Sequence, residues 1–300
     1  MQHAVIDIGS NSMRLTVYDV NGNDFKILFK EKIMAGLASY VEDGYISSEG
    51  IRRAYKGILE FVDTLAPFGI SRENTHVFAT ASLRNIINTD EAVAQINAAS
   101  GFDIDIITGA EEAFLGYAGA MREVSVENSI FVDIGGASTE ITVISDEAVI
   151  QSKSYHVGSL KLYKDCVKKI LPGKGSLKRI NDAISSAIPR EGFDGLTLPE
   201  KFVCSGGTSR SVLKFAKHLE LIPENENTFR AEHLNEIAKI FLGDEKKAAD
   251  TILKVDPERI HTIIPGFLIL RYITDLMPAG KIVVCNYGVR EGYLCQKILP

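Results

Sequence analysis

The sequence has few cysteines, no long apolar run and no excess of positive charge, and each absence excludes a class of function. Its four cysteines are far apart and form no Cys-x-x-Cys pair, so neither a zinc motif nor a disulfide framework is expected, and a reducing cytoplasm is the predicted location. No apolar run approaches the ~20 residues of a membrane span, so no membrane association is predicted. The net charge of −6 argues against general nucleic-acid binding.

The short motifs of several enzyme classes are missing as well. There is no Gly-x-Ser-x-Gly, no His-Glu-x-x-His and no Gly-x-x-x-x-Gly-Lys-Ser/Thr, so the P-loop NTPases are excluded. The six histidines are scattered without His-x-x-x-His spacing, and none is assigned a role. Any chemistry must therefore come from other residues.

The composition is that of a globular α/β protein with two domains. Of the 300 residues, 45% are apolar and 24% are charged, which excludes wholesale disorder. This length suits two domains of ~150 residues each.

Strand and helix signals run in the order βββαβαβα and then repeat along the chain. Each half opens with an apolar strand, an aspartate and a Gly/Ser turn, in Val5–Ser12 and again in Phe131–Ser138. The repeat is too long for a solenoid and indicates a duplicated domain whose copies face each other across a ligand-binding cleft. We predict a first domain at residues 1–120, a second at 121–287, and a C-terminal helix, 288–300, that packs back on the first.

The two Asp-x-Gly turns have the composition of anion-binding sites. Successive backbone N–H groups at such a turn form a concave nest, and glycine lets the backbone approach a phosphate closely. Asp7 and Asp133 cannot contact phosphate favourably, so we expect them to bind Mg²⁺ directly or through water. One such turn is usually an ordinary β-turn, but two in matched register favour the functional interpretation. The predicted phosphate-binding residues are Gly9, Ser10, Asn11, Ser12, Gly135, Gly136, Ser138 and Thr139, with Gly206, Gly207 and Thr208 of a Ser-Gly-Gly-Thr turn.

Two further turns bring ionisable side chains to strand ends. Arg84 follows a strand that ends near Thr80, at the edge where parallel sheets bind ligands, and could clamp phosphate oxygens, although a lone arginine is more often solvated surface. Glu111 and Glu112 open a helix, where paired carboxylates often only complement the helix dipole. Their position just before the second half favours a carboxylate that deprotonates a water.

A cluster of basic residues lies in the second half. The pattern predicts a helix from Ser159 to about Ile170, with Leu160, Tyr163, Val167 and Ile170 buried. Lys161, Lys164 and Lys168 then share the exposed face, where they would guide a polyanion. A solvated helix face is an equally good interpretation.

Together these motifs resemble the exopolyphosphatase/guanosine pentaphosphate phosphohydrolase family, within the actin, sugar kinase and heat-shock ATPase superfamily. The resemblance runs from Ala4 to about Tyr293 and is to the short, two-domain members. The matching segments, in order, are Ile6–Ser12, Ala79–Arg84, Thr108–Ala113, Asp133–Glu140 and Tyr287–Gly292. The family usually has a third glycine where Ala137 stands, so a positive φ at that residue would be strained.

The resemblance implies a duplicated actin-like, ribonuclease H-like fold and hydrolysis with no covalent intermediate. Glu112 corresponds to the family's proposed base and Arg84 to its arginine motif. Glu140, in the second loop with Asp133, becomes a further ligand for Mg²⁺. The expected reaction is the release of terminal phosphate from inorganic polyphosphate by in-line attack of water.

Several alternatives stay open from the sequence. Guanosine pentaphosphate, or another phosphorylated nucleotide, is nearly as compatible with the motifs as polyphosphate. A kinase of the same fold would need an acceptor pocket and usually an aspartate base, which the Glu-Glu turn disfavours. A non-catalytic or filament-forming actin relative would be expected to lose Asp7, Arg84, Glu112 and Asp133, which are intact. A homodimer is compatible with the sequence.

Overall fold

The computed structural model describes residues 1–146 and 148–299. The chain divides into two compact units: Met1–Leu115 together with the C-terminal segment from Arg290, and Gly116–Val289. Each unit has its own hydrophobic core. We call them unit 1 and unit 2 and describe each separately.

Unit 1 is built on a five-stranded sheet with a small hairpin in one connection. Its strands are β1 Gln2–Ile8, β2 Met13–Asn21, β3 Asp24–Ile33, the hairpin strands β4 Val41–Glu42 and β5 Tyr45–Ile46, then β6 Thr75–Ala79 and β7 Ile104–Ile106. The sheet order is β3-β2-β1-β6-β7. The first three strands form an antiparallel meander, whereas β6 runs parallel to β1 and β7 parallel to β6.

The helices that begin in unit 1 are α1 Ser48–Leu65, α2 Ala81–Arg84, α3 Thr89–Ser100 and α4 Gly109–Ala120. Helix α1 begins at Ser48, because the Ser47 side chain accepts a hydrogen bond from the Gly50 N–H as its N-cap. Its apolar residues Ile51, Ala54, Ile58, Phe61 and Leu65 recur at helical spacing and are buried along one face.

Unit 2 repeats this plan and adds one strand. Its strands are β8 Ser129–Ile134, β9 Thr139–Ser145, β10 Ala148–Tyr155, β11 Lys201–Ser205, β12 Thr228–Arg230 and β13 Lys281–Val284. Strands β8, β9 and β10 form the antiparallel meander, β11 is parallel to β8, and β13 is parallel to β11. The short β12 pairs antiparallel with β13 at the edge. The predicted duplication is therefore confirmed in the strand order of the two sheets.

Helices of the second half cover the unit 2 sheet and lead into the C-terminal segment. They are α5 Ser159–Cys166, α6 Lys174–Ala187, α7 Gly206–His218, α8 His233–Phe241, α9 Glu245–Val255, α10 Ile263–Leu276 and α11 Val289–Tyr293. Within residues 1–146 and 148–299, none of the helices is long and apolar enough to cross a membrane.

Helix α5 is shorter than predicted, and its buried face is a different one. The predicted helix to Ile170 ends at Cys166, because Val167 adopts an extended backbone and Arg179 Nη2 donates to the Cys166 carbonyl at 2.7 Å. The buried residues of the helix are Ser159, Leu162 and Cys166, instead of the predicted Leu160, Tyr163, Val167 and Ile170. Lys168 lies beyond the helix end and does not share a helical face with Lys161 and Lys164.

Polar contacts tie the C-terminal segment to the sheet of unit 1. Tyr18 donates from its hydroxyl to Glu291 Oε1 at 3.0 Å, and Arg290 Nη1 donates to Thr16 Oγ1 at 2.9 Å. Glu291 is fully buried. Burial, together with the Glu291 carboxylate, raises the pKa of Tyr18, so that this hydroxyl remains a hydrogen-bond donor at neutral pH.

Candidate functional site

Each unit collects its predicted functional residues at one edge of its sheet. In unit 1 the Gly9 turn, Arg84 and Glu112 follow the carboxyl ends of β1, β6 and β7, which lie side by side and run parallel. In unit 2 the Gly135 turn and the Gly206 turn follow β8 and β11, which are also parallel neighbours. This edge is where open α/β sheets bind ligands.

The turn after β1, which we call loop 1 (residues 9–12), is held in shape by backbone hydrogen bonds. The Gly9 N–H donates to the Ser12 carbonyl at 3.2 Å, and a Cβ at Gly9 would lie 2.8 Å from that same oxygen. The Ser10 carbonyl accepts from the Ala38 N–H at 3.0 Å, and the Asn11 carbonyl accepts from Gly36 N–H at 2.9 Å. Since a trans peptide points its C=O and N–H in opposite directions, the Asn11 and Ser12 N–H groups face away from this support.

The turn after β8, loop 2 (residues 135–138), has the same construction. The Gly135 N–H donates to the Ser138 carbonyl at 2.9 Å. The first turn of α5 supplies the support, since the Ser159 N–H donates to the Gly135 carbonyl and the Leu160 N–H to the Gly136 carbonyl, both at 2.9 Å. The N–H groups of Gly136 and Ala137 therefore point away from α5, which is the arrangement that an anion-binding nest requires.

Ala137, where the family usually has glycine, is not strained. The described non-glycine residues with positive φ are Asp43, Asn128, Asp146 and Glu220, and Ala137 is not one of them. The glycine that loop 2 does require is Gly158, the residue before α5. Its φ of −148° is ordinary extended backbone, but a Cβ there would lie 2.5 Å from the Gly136 carbonyl carbon and 2.6 Å from the Ala137 nitrogen.

Gly158→Ala should therefore displace loop 2. We expect the free energy of unfolding to fall by about 1–3 kcal/mol, as in other overpacked sites, and turnover to fall by roughly 10²-fold, since small misplacements of a site have effects of this size. The matched control is Gly173→Ala at the corresponding position before α6, where a Cβ would meet no atom within 4 Å. Chemical denaturation and steady-state kinetics measure both effects. Equal behaviour of the two variants would contradict this account of loop 2.

In unit 1, Arg84 and Glu112 form a sequestered ion pair. Arg84 Nη1 lies 2.8 Å from Glu112 Oε2 and also donates to the Ile107 carbonyl at 2.9 Å. The exposed fractions of the two side chains are 16% and 10%. The short helix that carries Arg84 is fixed beside loop 1, because Ser82 Oγ donates to the Ile8 carbonyl at 2.5 Å.

The neighbouring Glu111 has a local structural role. Its Oε2 accepts from the Thr108 N–H at 2.8 Å, and its own N–H donates to Thr108 Oγ1 at 3.1 Å, which is a capping box at the start of α4. The Thr108 backbone bond and then Lys297 Nζ, 3.2 Å from Glu111 Oε1, lower the pKa of Glu111. Glu111 is thus engaged in the cap of α4, whereas Glu112 is paired with Arg84 and stays the predicted base.

In unit 2, the Asp133 carboxylate lies close to Ser205, Gly206 and Gly288. Ser205 Oγ donates to Asp133 Oδ2 at 2.6 Å, and the carboxylate lies against Gly206, whose φ is +83°. A side chain at Gly206 would be strained by its backbone and would collide with Asp133. Gly288 lies on the other side, since a Cβ there would be 3.8 Å from Asp133 Oδ2.

The setting of the predicted metal ligands differs between the units. Asp133 stands directly opposite Glu140 in the β8–β9 ladder, whereas Asp7 stands opposite the cation Arg14 in the β1–β2 ladder. Glu140 is buried, with Ser154 Oγ donating to its Oε1 at 2.7 Å. Two opposed carboxylates repel each other unless a cation lies between them. Described residues include no group of three or more His, Cys, Asp or Glu suited to a metal, and a carboxylate pair completed by water fits Mg²⁺ better than zinc.

Two predicted phosphate-binding side chains point elsewhere. Thr139 is fully buried, and its hydroxyl donates to the Val157 carbonyl at 2.6 Å. Thr208 is also buried and donates to the Ile134 carbonyl at 3.2 Å. These hydroxyls stabilise the turns, which corrects the prediction that they donate to phosphate. The sequence of a hydroxyl-rich turn does not show which of its hydroxyl groups point into the protein core and which face a ligand.

Arg259 is a candidate site residue that the sequence analysis missed. Its guanidinium packs on Gly207, the second residue of α7. Burial lowers the pKa of Arg259, and the carboxylates of Asp256, Glu258 and Asp133 oppose that shift. A partly buried cation beside the first turn of a helix is suited to an anionic ligand. Arg259 lies 52 residues beyond Gly207, and no local pattern links the two.

Comparison with known proteins decides the family. The sequence profile of the Ppx/GppA phosphatase family matches residues 16–300. The chain belongs to this family. The resemblance inferred from the motifs is therefore confirmed, and with it the hydrolase class. Loop 1 lies before the matched residues, so its assignment depends on the motif and geometry described above.

Individual relatives within the Ppx/GppA family carry two kinds of name. Exopolyphosphatase 2 of Mycobacterium tuberculosis is 26% identical over 321 residues, covering 96% of this chain and 96% of that protein. The guanosine-5'-triphosphate,3'-diphosphate pyrophosphatase of Vibrio atlanticus is 36% identical over 302 residues, covering 99% of this chain but only 59% of that protein. The crystal structure of an exopolyphosphatase from Cytophaga hutchinsonii superposes with a TM-score of 0.84 at 19% identity, covering 98% of this chain and 96% of that one. This last similarity confirms the predicted fold.

Proposed function

We propose that this Ppx/GppA family member is a Mg²⁺-dependent phosphohydrolase that releases the terminal phosphate of inorganic polyphosphate. The observation that carries the proposal is the pair of supported loops. In each unit, two carbonyl groups of the loop accept hydrogen bonds from N–H groups of a neighbouring segment. The N–H groups that follow these carbonyls in the chain therefore point to the opposite side of the loop. Nests of this kind bind phosphate without a fixed positive charge.

Within this proposal different groups of the site have different roles in hydrolysis. The backbone nests hold phosphate oxygens, Arg259 supplies positive charge in unit 2, and Arg84 contacts the Glu112 carboxylate in unit 1. Glu112 orients the attacking water and accepts its proton. Phosphoryl transfer needs mainly positioning and charge neutralisation, so a base of modest strength is sufficient.

The residues present in unit 2 fit a magnesium ion. Asp133 and Glu140 would hold it, with Ser205 fixing the orientation of Asp133 through the 2.6 Å hydrogen bond. When bound, Mg²⁺ neutralises charge on phosphate oxygens and polarises the phosphoryl group. Asp7 stays a predicted ligand, although a cation, Arg14, stands opposite it in the β1–β2 ladder.

A guanosine pentaphosphate is the second candidate substrate, because the Vibrio relative is 36% identical and is named for a guanosine polyphosphate. The test is phosphate release from a panel of inorganic polyphosphates, guanosine pentaphosphate and ATP, each with Mg²⁺. We expect the highest kcat/KM with inorganic polyphosphate. A preference for guanosine pentaphosphate would replace the substrate assignment, and no release from any of them would reject the function.

The basic residues near α5 predict a salt effect on substrate binding. Lys164 and Lys168 are exposed, and Lys161 is ion-paired with Asp165 at 3.0 Å, a contact that is exposed to solvent and therefore weak. Replacing Lys161, Lys164 and Lys168 with Gln should raise KM for polyphosphate and flatten its salt dependence, since the Debye length falls from ~10 Å at 0.1 M to ~3 Å at 1 M. We expect kcat to stay near that of the wild type, because such contacts hold substrate and transition state equally.

The matched control replaces three exposed lysines of α8 and α9, Lys239, Lys246 and Lys247, with Gln. This variant has the same change of net charge at a different place. If both triple variants shift KM equally, overall charge and not the α5 cluster attracts the polyanion. An unchanged KM at low salt in the α5 variant would show that the cluster is solvated surface.

A further inference from the structure

The Arg84 guanidinium contacts other described residues through only one of its nitrogen atoms. Both contacts that the described residues give it use Nη1, which donates to the Ile107 carbonyl at 2.9 Å and to Glu112 Oε2 at 2.8 Å. Nη1 has two N–H groups, so these bonds use both of its donors. One side of the guanidinium is therefore committed to the protein, at the strand end and at the candidate base.

Both partners of this ion pair are fixed before any ligand binds. On the arginine side, Ser82 Oγ donates to the Ile8 carbonyl of β1 at 2.5 Å and Thr89 Oγ1 donates to the Leu83 carbonyl at 2.7 Å, which hold α2 against β1 and the start of α3. On the glutamate side, the capping box of Thr108 and Glu111 fixes the first turn of α4. An ion pair between two anchored, mostly buried side chains loses little entropy on forming and is weakly screened by salt.

We propose that Arg84 is a positioning residue for Glu112: its Nη1 holds the carboxylate in the orientation needed to align the attacking water. The inference rests on the function proposed above, in which Glu112 is the base. A carboxylate on a freely rotating side chain would spend little of its time aligned with a water, and alignment of reacting groups has a large effect on rate. The Ile107 bond fixes the guanidinium, and the guanidinium fixes the carboxylate.

A simple phosphate clamp makes a different prediction from a positioning residue. A clamp that holds substrate and transition state equally changes KM when removed, and its loss adds to the loss of the base. A positioning residue acts only through the base, so that its removal lowers kcat and has little further effect once the base is gone. Residues in one contact network show this kind of non-additivity in double-mutant cycles.

The experiment is a double-mutant cycle in the full chain with inorganic tripolyphosphate and Mg²⁺. We expect Arg84→Gln to lower kcat by roughly 10²-fold with KM changed by less than about threefold. In the Glu112→Gln background the same change should lower kcat by less than about threefold. Arg84→Lys keeps the charge but lacks the planar fork, and we expect it to recover only part of the rate. Arg230→Gln, which removes an exposed arginine of unit 2, is the control.

Thermal unfolding of each variant shows whether it is folded, and if Arg84→Gln is not, the cycle is run with Arg84→Lys instead. Additive losses, or a raised KM with kcat near the wild-type value, would overturn the positioning role and leave Arg84 as a clamp. Wild-type kcat in Arg84→Gln would also overturn it. A wild-type chain that releases no phosphate rejects the proposed function itself, and the positioning role with it.

Discussion

Glu112→Gln should lower kcat for phosphate release by roughly 10²–10⁴-fold, the range for loss of a general base. The glutamine amide still offers an oxygen to Arg84 Nη1, which lies 2.8 Å from Glu112 Oε2, so the fold should survive. We expect the free energy of unfolding to fall by about 1–3 kcal/mol, because a buried charged hydrogen bond is weakened. Steady-state kinetics below the unfolding temperature measure the first effect, and chemical denaturation measures the second.

Glu111→Gln is the matched control, since it makes the same chemical change one residue away. Glu111 serves the capping box with Thr108 and contacts Lys297, so its replacement should affect the start of α4. We expect a stability loss of about 0.5–2 kcal/mol, the usual effect of an altered cap, with kcat close to the wild-type value. An inactive Glu111→Gln together with an active Glu112→Gln would reverse the assignment of the base.

Removal of divalent cations should abolish phosphate release, and addition of Mg²⁺ should restore it. Asp133→Asn should raise the Mg²⁺ concentration needed for half-maximal activity by about tenfold or more, comparable to the loss of other groups that hold a metal. The reason is that Asp133 and Glu140 stand opposite each other in the ladder, and replacing one of them removes half of the charge that attracts the cation. Activity measured over a Mg²⁺ titration gives the half-saturation point directly.

Asp182→Asn, in the exposed face of α6, is the control for the change of charge alone. It should leave the Mg²⁺ requirement unchanged. Phosphate release that persists in excess EDTA would contradict the metal assignment, and so would wild-type Mg²⁺ half-saturation in Asp133→Asn. An equally large effect of Asp7→Asn would show that its cross-strand partner Arg14 does not replace the cation.

The elements that carry the site could be predicted because their signals are local. Strand β1 and strand β8 are apolar runs that end at Asp-x-Gly, and glycine is needed there because a Cβ would approach the carbonyl three residues on. Helix α1 has a serine cap and a buried stripe at helical spacing. Repetition of the same order of signals then predicted the second unit from the first.

The features that could not be predicted depend on distant residues. Helix α5 ends early because Arg179, thirteen residues beyond Cys166, bonds the Cys166 carbonyl. Arg259 packs on Gly207 in the fold although the two residues are far apart in the sequence. The Thr139 hydroxyl donates to the Val157 carbonyl, a contact that depends on how two distant chain segments pack together. Such contacts have no periodic pattern in the sequence, so composition and spacing do not reveal them.

The family assignment also bears on the two rival functions. A kinase of the same fold would transfer phosphate to an acceptor, and the Glu112 carboxylate beside Arg84 instead suits activation of water. A non-catalytic relative would not be expected to retain the Arg84–Glu112 pair at 2.8 Å inside a mostly buried site. Membership of a phosphatase family agrees with this interpretation of the geometry.

Hydrolysis of inorganic tripolyphosphate in ¹⁸O-labelled water, followed by mass analysis of both products, tests the proposed attack of water on a terminal phosphoryl group. With Mg²⁺ present, the account predicts label in the released orthophosphate and none in the diphosphate, with the rate of labelling lowered in Glu112→Gln by the same factor as kcat. Label in the diphosphate would place the attack on the inner phosphorus. Absence of labelled orthophosphate from the wild type would contradict the proposed function outright.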